Sequence, residues 1–444
     1  MANNHPNFKD ADYIAHENQL TKVNNVYKGT DTSKQYIDKF GKEDQEDYEI
    51  RQKACTLDNY VFRTVQSIKN IIFRKSLDLS NITNKELLSW LEKANFKDDI
   101  NEFAKDIIVN RVRDGIAYIL VDTPTYSQDE NLSKLQMEQR NIRPYFTKIL
   151  RSQVLNKMYD DNNQLIQISI AEKYKIEDNR FGAEYKDQVR AYELIDGVVY
   201  FSIWRENAEI QNDVLMIDAI PIVEMGDDLI PPLYDQALIN LNHLNRNSEK
   251  SNYVRVGACP FPIVKGALKG DSAGANTLSI NQGLKFADEN GSFEWAEMSG
   301  SNYTIIQEEI KYREEQMERI SVEFTTQVAN ITATEVEKNS MTNESKLMDY
   351  SLELEGAINK AIQMMGMFAK GISENDMILT NKDFDSSIIS LEEFNMLMQL
   401  RMNGDLSYEE LRLALEKGEV LRVLTDAEKK KEKLLLRDDV GVEE

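Results

Sequence analysis

Histidine, cysteine and carboxylate side chains are the groups of this chain that can do chemistry, and the supply is uneven. Three histidines (His5, His16, His243) and two cysteines (Cys55, Cys259) stand against 76 Asp and Glu in 444 residues. Adjacent acids recur at Asp160-Asp161, Asp227-Asp228, Glu308-Glu309 and Glu314-Glu315. Such pairs can bind Mg²⁺ or exchange protons. In so acidic a chain, however, pairs arise by composition, and most are expected on solvated faces. No Cys/His cluster has zinc-ligand spacing. The phosphate-cradling GxxxxGK[ST] and GxGxxG patterns are absent, as are HExxH and GxSxG. The expectation is a protein that is not an enzyme and needs no metal or cofactor. A metal-dependent nuclease using an acidic site is the weaker alternative, and an acidic helical scaffold or adaptor is another.

The elements that would carry these groups follow from composition and periodicity. Lys and Arg number 53, so the formal charge is −23, which argues against a free-standing nucleic-acid binder. Eight prolines and nineteen glycines are few for an all-β chain. The expected class is α+β and helix-rich. One cysteine pair cannot staple a chain of this size, the first residues do not read as a signal peptide, and no apolar run approaches a membrane span. These features suggest a reducing cytosol and no membrane partner.

Residues 1–60 read as polar, with short helices. The first convincing core helix is expected over 99–112, where Ile100, Phe103, Ile107, Ile108 and Val112 recur at helical spacing. A strand over 116–121 follows, then a β-rich stretch. It includes a hairpin of 189–195 and 198–204 about the turn Asp196-Gly197. Pro231-Pro232 opens a helix that becomes polar on every side from Asn242, a pattern expected of a solvent-bridging, oligomer-packed or frayed helix. His243 lies there and is expected to be solvated. Glycines and prolines then break helicity over 254–298, and a second polar helix runs over 303–324. Between it and the capping box Thr332…Glu335, the run Thr325, Thr326, Gln327, Val328, Ala329, Asn330 is uncharged although its flanks are acidic. A helix reaching about residue 370 carries Leu347, Leu354, Ile358, Ala361, Met365 and Phe368 on one stripe, and Gly371 stops it. Two short helices opened by Ser390…Glu393 and Ser407…Glu410 close the pattern.

In this order, with stretches such as RPYFTKILRSQVLN, VRVGACPFPIVKGA and MSGSNYTIIQEEIKYREEQMERI, the chain resembles the portal proteins (head-to-tail connectors) of tailed bacteriophages over roughly residues 50–425. The resemblance implies a portal fold: a wing over 1–230, a first stem helix over 231–253, and a β-containing clip over 254–300. A second stem helix over 301–324, a tunnel loop over 325–333, a long wing helix over 334–372 and a crown with its tail over 373–444 follow. It implies a homo-oligomeric ring, usually of twelve copies, at one capsid vertex of the virion and made in the host cytoplasm. Its partners would be the terminase large subunit, head-completion, adaptor or tail proteins, and major capsid and scaffold proteins. Double-stranded DNA would cross the ring without sequence specificity during packaging and ejection. Arg246, Lys250, Glu308, Lys311 and Glu315 would line the stem channel, with Arg255 adding to possible basic rings. Thr325–Asn330 would approach the axis, and Phe261, Phe293 and Trp295 would lie at clip contacts between neighbours.

Overall fold

The computed structural model describes residues 5–124, 136, 139–179, 182–257, 261–265, 290, 292–296, 301–322, 333–369, 371–382, 384 and 391–417. The chain divides into two compact units, Met1–Lys382 and Asp383–Glu444.

The first unit opens with helices α1 (Ala11–Lys28), α2 (Thr30–Ser33), α3 (Gln45–Ala54), α4 (Tyr60–Ile72), α5 (Lys85–Leu91) and α6 (Ile100–Asp114). Asp10, Asp44, Asn59, Asn84 and Asp99 start five of them, each side chain accepting from a backbone N–H two or three residues on. These contacts satisfy amides that have no partner within the helix. The helical core begins earlier than periodicity suggested. In α4, Val61, Val65, Ile68 and Ile72 form a fully buried stripe, and α1 buries Leu20, Val23 and Val26. The polar surroundings of α1 hide its stripe, whereas that of α4 was legible at i, i+4, i+7 and i+11.

Strands β1 (Ala117–Asp122), β2 (Tyr145–Ile149), β3 (Val154–Tyr159), β4 (Leu165–Asn179), β5 (Gly182–Ile195), β6 (Val198–Arg205), β7 (Ala208–Leu215) and β8 (Ile222–Met225) make two antiparallel sheets. The orders are β2-β1-β8 and β3-β4-β5-β6-β7. Ile195 faces Val198 across Asp196-Gly197, and both turn residues have positive φ, the type I′ geometry that the pair favours. Tyr118, Leu120, Ile149, Ile168, Ile170, Tyr192 and Val199 pack between the sheets. The expected mixed, helix-rich class is present.

Helix α7 (Tyr234–Gly257) follows, four residues longer at its end than expected, then strands β9 (Phe261–Lys265) and β10 (Ser292–Ala296) and helices α8 (Ser301–Val322) and α9 (Ala333–Phe368). The long α9 lies across β8, β1 and α6 and buries Leu347, Leu354, Ile358, Ala361 and Met365 of the stripe read from sequence, while Phe368 at its end is only partly buried. No helix among the described residues is long and apolar enough to cross a membrane.

Arg111, near the end of α6, joins these parts. Its Nε and Nη2 donate to the Glu353 carboxylate of α9 at 2.6 and 3.0 Å. Its Nη1 donates to Asp228 Oδ2 at 2.7 Å and to the Gly115 carbonyl at 2.8 Å, while the Tyr350 ring lies 5.2 Å away. Burial alone would lower the proton affinity of the guanidinium, but Glu353 and Asp228 more than reverse this and hold it raised. Gly226 makes the approach possible. At φ +79°, a Cβ there would stand 2.0 Å from Arg111 Nε.

Residues 373–382, grouped by sequence with the C-terminal section, belong instead to the first unit. Asp78 and Leu379 exchange backbone hydrogen bonds, Asn359 holds both the N–H and the carbonyl of Ile378, and Glu355 accepts from Thr380. Buried Asp376 accepts from the backbone N–H groups of Ser373, Thr83 and Asn84 and from the Thr83 hydroxyl. The second unit contains α10 (Leu391–Asn403) and α11 (Tyr408–Lys417). The expected capping box at Ser407 and Glu410 is present in both directions, at 2.9 and 3.2 Å. Gly404 ends α10 at φ +83°. Ser390 and Thr332 lie outside the described residues.

Two predictions follow from these junctions. Removing Arg111 (Arg111→Ala) leaves Glu353 without its bidentate partner and is expected to cost about 3–5 kcal/mol. Asp228→Asn, at a carboxylate whose side chain is 47% exposed, should cost less than about 1 kcal/mol. Urea midpoints for the two variants check the order. The second concerns pH. Burial alone would raise the Asp376 carboxyl, but its hydrogen bonds more than offset this and hold it below the ordinary value of 3.8. Its contribution is therefore present above the unfolded pKa and is lost as pH falls through the lower folded value. Asp376→Asn should flatten the loss of stability below about pH 4, as read from unfolding midpoints across an acid series.

Candidate functional site

The part of the molecule with the least ordinary chemistry is the α7–α8 helical hairpin and the strand pair between its helices. The helices pack together, and α7 also touches α1, α3 and α4. Its apolar stripe, Leu233, Ala237, Leu241 and Leu244, is buried as expected. The stripe beside it is polar and equally buried: Gln236, Asn240, His243 and Ser248 have no exposure to solvent. The expectation of a helix whose polar sides meet water is corrected here.

Partners on neighbouring elements make this burial possible. Gln236 Nε2 donates to Thr64 Oγ1 at 3.0 Å, to Ser321 Oγ at 2.8 Å and to the Met317 carbonyl at 3.2 Å. The Asn240 amide is used on both sides, accepting from Tyr60 N–H at 3.1 Å and donating to the Asp58 carbonyl at 2.8 Å. Ser248 accepts from Arg51, a fully buried guanidinium whose other contacts are the Glu43 carboxylate and the Asp38 carbonyl. The Arg51 contact draws the Glu43 carboxyl below its usual range. Polar side chains thus stand in for water toward backbone groups of the 36–60 segment, although Gln236 Oε1 is buried without a hydrogen-bond partner.

His243 is corrected with its helix. Its ring is wholly buried, 3.2 Å through Nε2 from Glu314 Oε1 and 3.3 Å through Nδ1 from the Asn247 amide nitrogen. The Tyr60 ring stands edge-on at 6.5 Å. Asp58, His243 and Glu314 each place a donor atom within 4.8 Å of the others. Cys55 is also buried, and burial pushes its thiol up to about 11, so the neutral thiol is favoured over the reactive thiolate.

The expected channel residues fall on the outside of this hairpin. Glu308, Lys311 and Glu315 are exposed on α8, and between them Tyr312 is 50% exposed, with Ile305 64% exposed two turns before it. The basic residues of α7 are not bare charges. Arg246 pairs with Glu249 at 2.6 Å, Arg255 pairs with Asp47 at 3.0 Å, and Lys250 Nζ lies 5.9 Å from the Tyr303 ring centre.

At the far end of the hairpin, β9 and β10 pair antiparallel, with Phe293 opposite Val264, Trp295 opposite Pro262 and Ala296 opposite Phe261. Phe293 is half-buried, while the side chains of Phe261 and Trp295 lie outside the described structure. Thr325, Thr326, Gln327, Val328, Ala329 and Asn330 also lie outside the described residues.

A family model described only as a domain of unknown function (DUF4055) matches residues 232–369, from just before α7 to just past the end of α9. No curated protein matches the chain. Solved structures similar to it include the neck of a native GTA particle computed with C12 symmetry, at 14% identity and a TM-score of 0.42. Another is the neck of an empty GTA particle computed with C6 symmetry, at 13% identity and a TM-score of 0.40. Each alignment covers 80% of this chain and 89% of the other.

The polar seam can be tested at Asn240, which serves both a donor and an acceptor of the segment before α4. Asn240→Leu keeps the volume but strands Tyr60 N–H and the Asp58 carbonyl. It is expected to cost about 1–3 kcal/mol, whereas Asn242→Leu, on the exposed side of α7, should change stability by under about 0.5 kcal/mol. Chemical denaturation of both variants separates the two outcomes.

Proposed function

We propose that this chain is the portal subunit of a tailed phage or phage-like particle: one member of a closed ring at a single capsid vertex. In this reading, double-stranded DNA passes through the ring during packaging and ejection. The terminase large subunit docks on it first, and adaptor or tail proteins later. Within this role the chain performs no bond chemistry of its own.

The observation that carries the reading is the α7–α8 hairpin with β9 and β10 between its helices. Its inner seam is polar and, apart from Gln236 Oε1, hydrogen-bonded within the chain, while its outer face carries Ile305 and Tyr312 among Glu308, Lys311 and Glu315. An exposed isoleucine and tyrosine spaced two turns apart among charges suit contact with a neighbouring copy better than lasting exposure. The pair β9–β10 is too small to be stable alone, since a two-stranded hairpin is marginal in water. Packing of each such pair against its neighbours in a ring would supply what it lacks. Net charge agrees as well. Twelve copies at −23 would carry −276, a wall that repels phosphate and lets DNA slide rather than hold. The uncharged run Thr325–Asn330 fits the narrowest part of such a channel, where a fixed base would grip the backbone and a fixed acid would oppose it.

The deciding measurement is mass in solution. Twelve copies of the 51.2 kDa chain weigh about 614 kDa, and light scattering behind size exclusion should find an assembly of that order, annular by electron microscopy. A stable monomer or dimer at micromolar concentration would favour the adaptor reading instead. Incubation with Mg²⁺ and linear DNA should leave the DNA intact.

A further inference from the structure

We propose that Asp58, His243 and Glu314 form a binding site for one divalent transition-metal ion of the zinc class, clamping the α7–α8 hairpin to the entry of α4. The donor set is one imidazole and two carboxylates, and the three candidate ligand atoms lie within 4.8 Å of one another. An imidazole makes Mg²⁺ or Ca²⁺ the poorer fit, and the lack of a thiolate suits borderline ions such as Zn²⁺.

The backbone of Asp58 and the ring of His243 are each positioned by other contacts. Asp58 immediately precedes Asn59, the cap of α4, and its backbone carbonyl is gripped by Asn240. His243 is wholly buried, its ring orientation fixed by Tyr60 at its edge and by Asn247 at Nδ1. This leaves Nε2 turned toward the carboxylates. With Nε2 on a metal, Nδ1 carries the proton. Rotation of the Asn247 amide then presents its oxygen as the acceptor, the outer-shell arrangement that fixes a ligating histidine. Glu314 comes from the facing helix, its side chain 37% exposed, and Asp58 is exposed. An ion would therefore enter past the two carboxylates and retain room for water as a fourth ligand.

Electrostatics favours the same occupant. Two carboxylates converge beside a neutral or singly charged ring, and their mutual repulsion is relieved by a doubly charged ion between them. Tetrahedral zinc ligands at about 2.0–2.2 Å from the metal stand roughly 3.3–3.6 Å apart. The His243–Glu314 distance of 3.2 Å is already near that value, so closure mainly requires movement of the exposed Asp58 side chain. Three stretches distant in sequence would then share one centre, so binding should stiffen the hairpin against the N-terminal helices. None of this depends on the portal reading, because the ligands all come from one chain.

The test uses the full chain, stripped with chelator and titrated with ZnCl₂ by calorimetry in millimolar Mg²⁺, which occupies nonspecific acidic sites. One zinc per chain and a raised melting temperature are expected. Asp58→Asn and Glu314→Gln should each weaken binding about tenfold or more while leaving the metal-free melting temperature within a few degrees. Asp58→Asn is the safeguard, because an exposed side chain can change without threatening the fold. Absence of stoichiometric zinc binding, or binding undiminished in both variants, overturns the site. Zinc-dependent cleavage of DNA would overturn its assignment as a clamp.

Discussion

The Arg111 guanidinium sits where three stretches of chain meet: the end of α6, the turn that leads from β8 toward α7, and the middle of α9. A cation removed from water to this depth is tolerable only if its donors are matched, and Glu353, Asp228 and the Gly115 carbonyl do so. Such matching has steric conditions. Gly226 leaves space for the guanidinium, and Gly115 leaves space for the backbone of Asp228, whose carbonyl would stand 2.3 Å from an added Cβ. The path of the chain into α7 is thereby fixed relative to the sheet β2-β1-β8 and to the long helix lying on it. The hairpin inherits its starting point from one buried charge and two glycines.

From that point α7 runs through surroundings that are polar and dry together. In an aliphatic core the helix would need apolar residues on every buried position, and its register against α4 and α8 would rest on shape alone. Here Gln236, Asn240, His243 and Ser248 each have a designated partner, and a slip by one residue would leave them all unmatched. Directional contacts of this kind specify alignment more sharply than aliphatic packing does. They also explain how a helix of such polar composition stays attached while keeping its other side free.

Periodicity and turn chemistry made much of this architecture legible. The α6 stripe, the Asp196-Gly197 hairpin, the long α9 and the Ser407–Glu410 box each depend on residues close in sequence, so local rules suffice to find them. The polar seam illustrates why the rest was hidden. Asn240, His243 and Asn247 stand at helical spacing, but nothing local says whether such a stripe meets water or polar partners. That is decided by Asp58, Tyr60, Thr64 and Glu314, which tertiary folding brings in. The same holds for Arg51 and Arg111, whose burial becomes reasonable only once the distant Ser248 and Glu353 are in place. Hydropathy reads side chains one at a time, whereas burial of a polar group is a property of pairs.

The distribution of charge follows from this division. Cations at the junctions are consumed within the chain: Arg51 by Glu43, Arg111 by Glu353 and Asp228, and Arg190 by Asp122 and Glu172. On the hairpin, Arg246 and Arg255 are neutralised by Glu249 and Asp47. Pairing cannot change the sum of the charges, so what remains after the pairs cancel is still negative. Since both members of a pair nearly cancel beyond about a Debye length, the field felt by a distant polyanion is set by that remainder. Internal pairing therefore holds the fold together while leaving the long-range potential close to that of the net charge of −23.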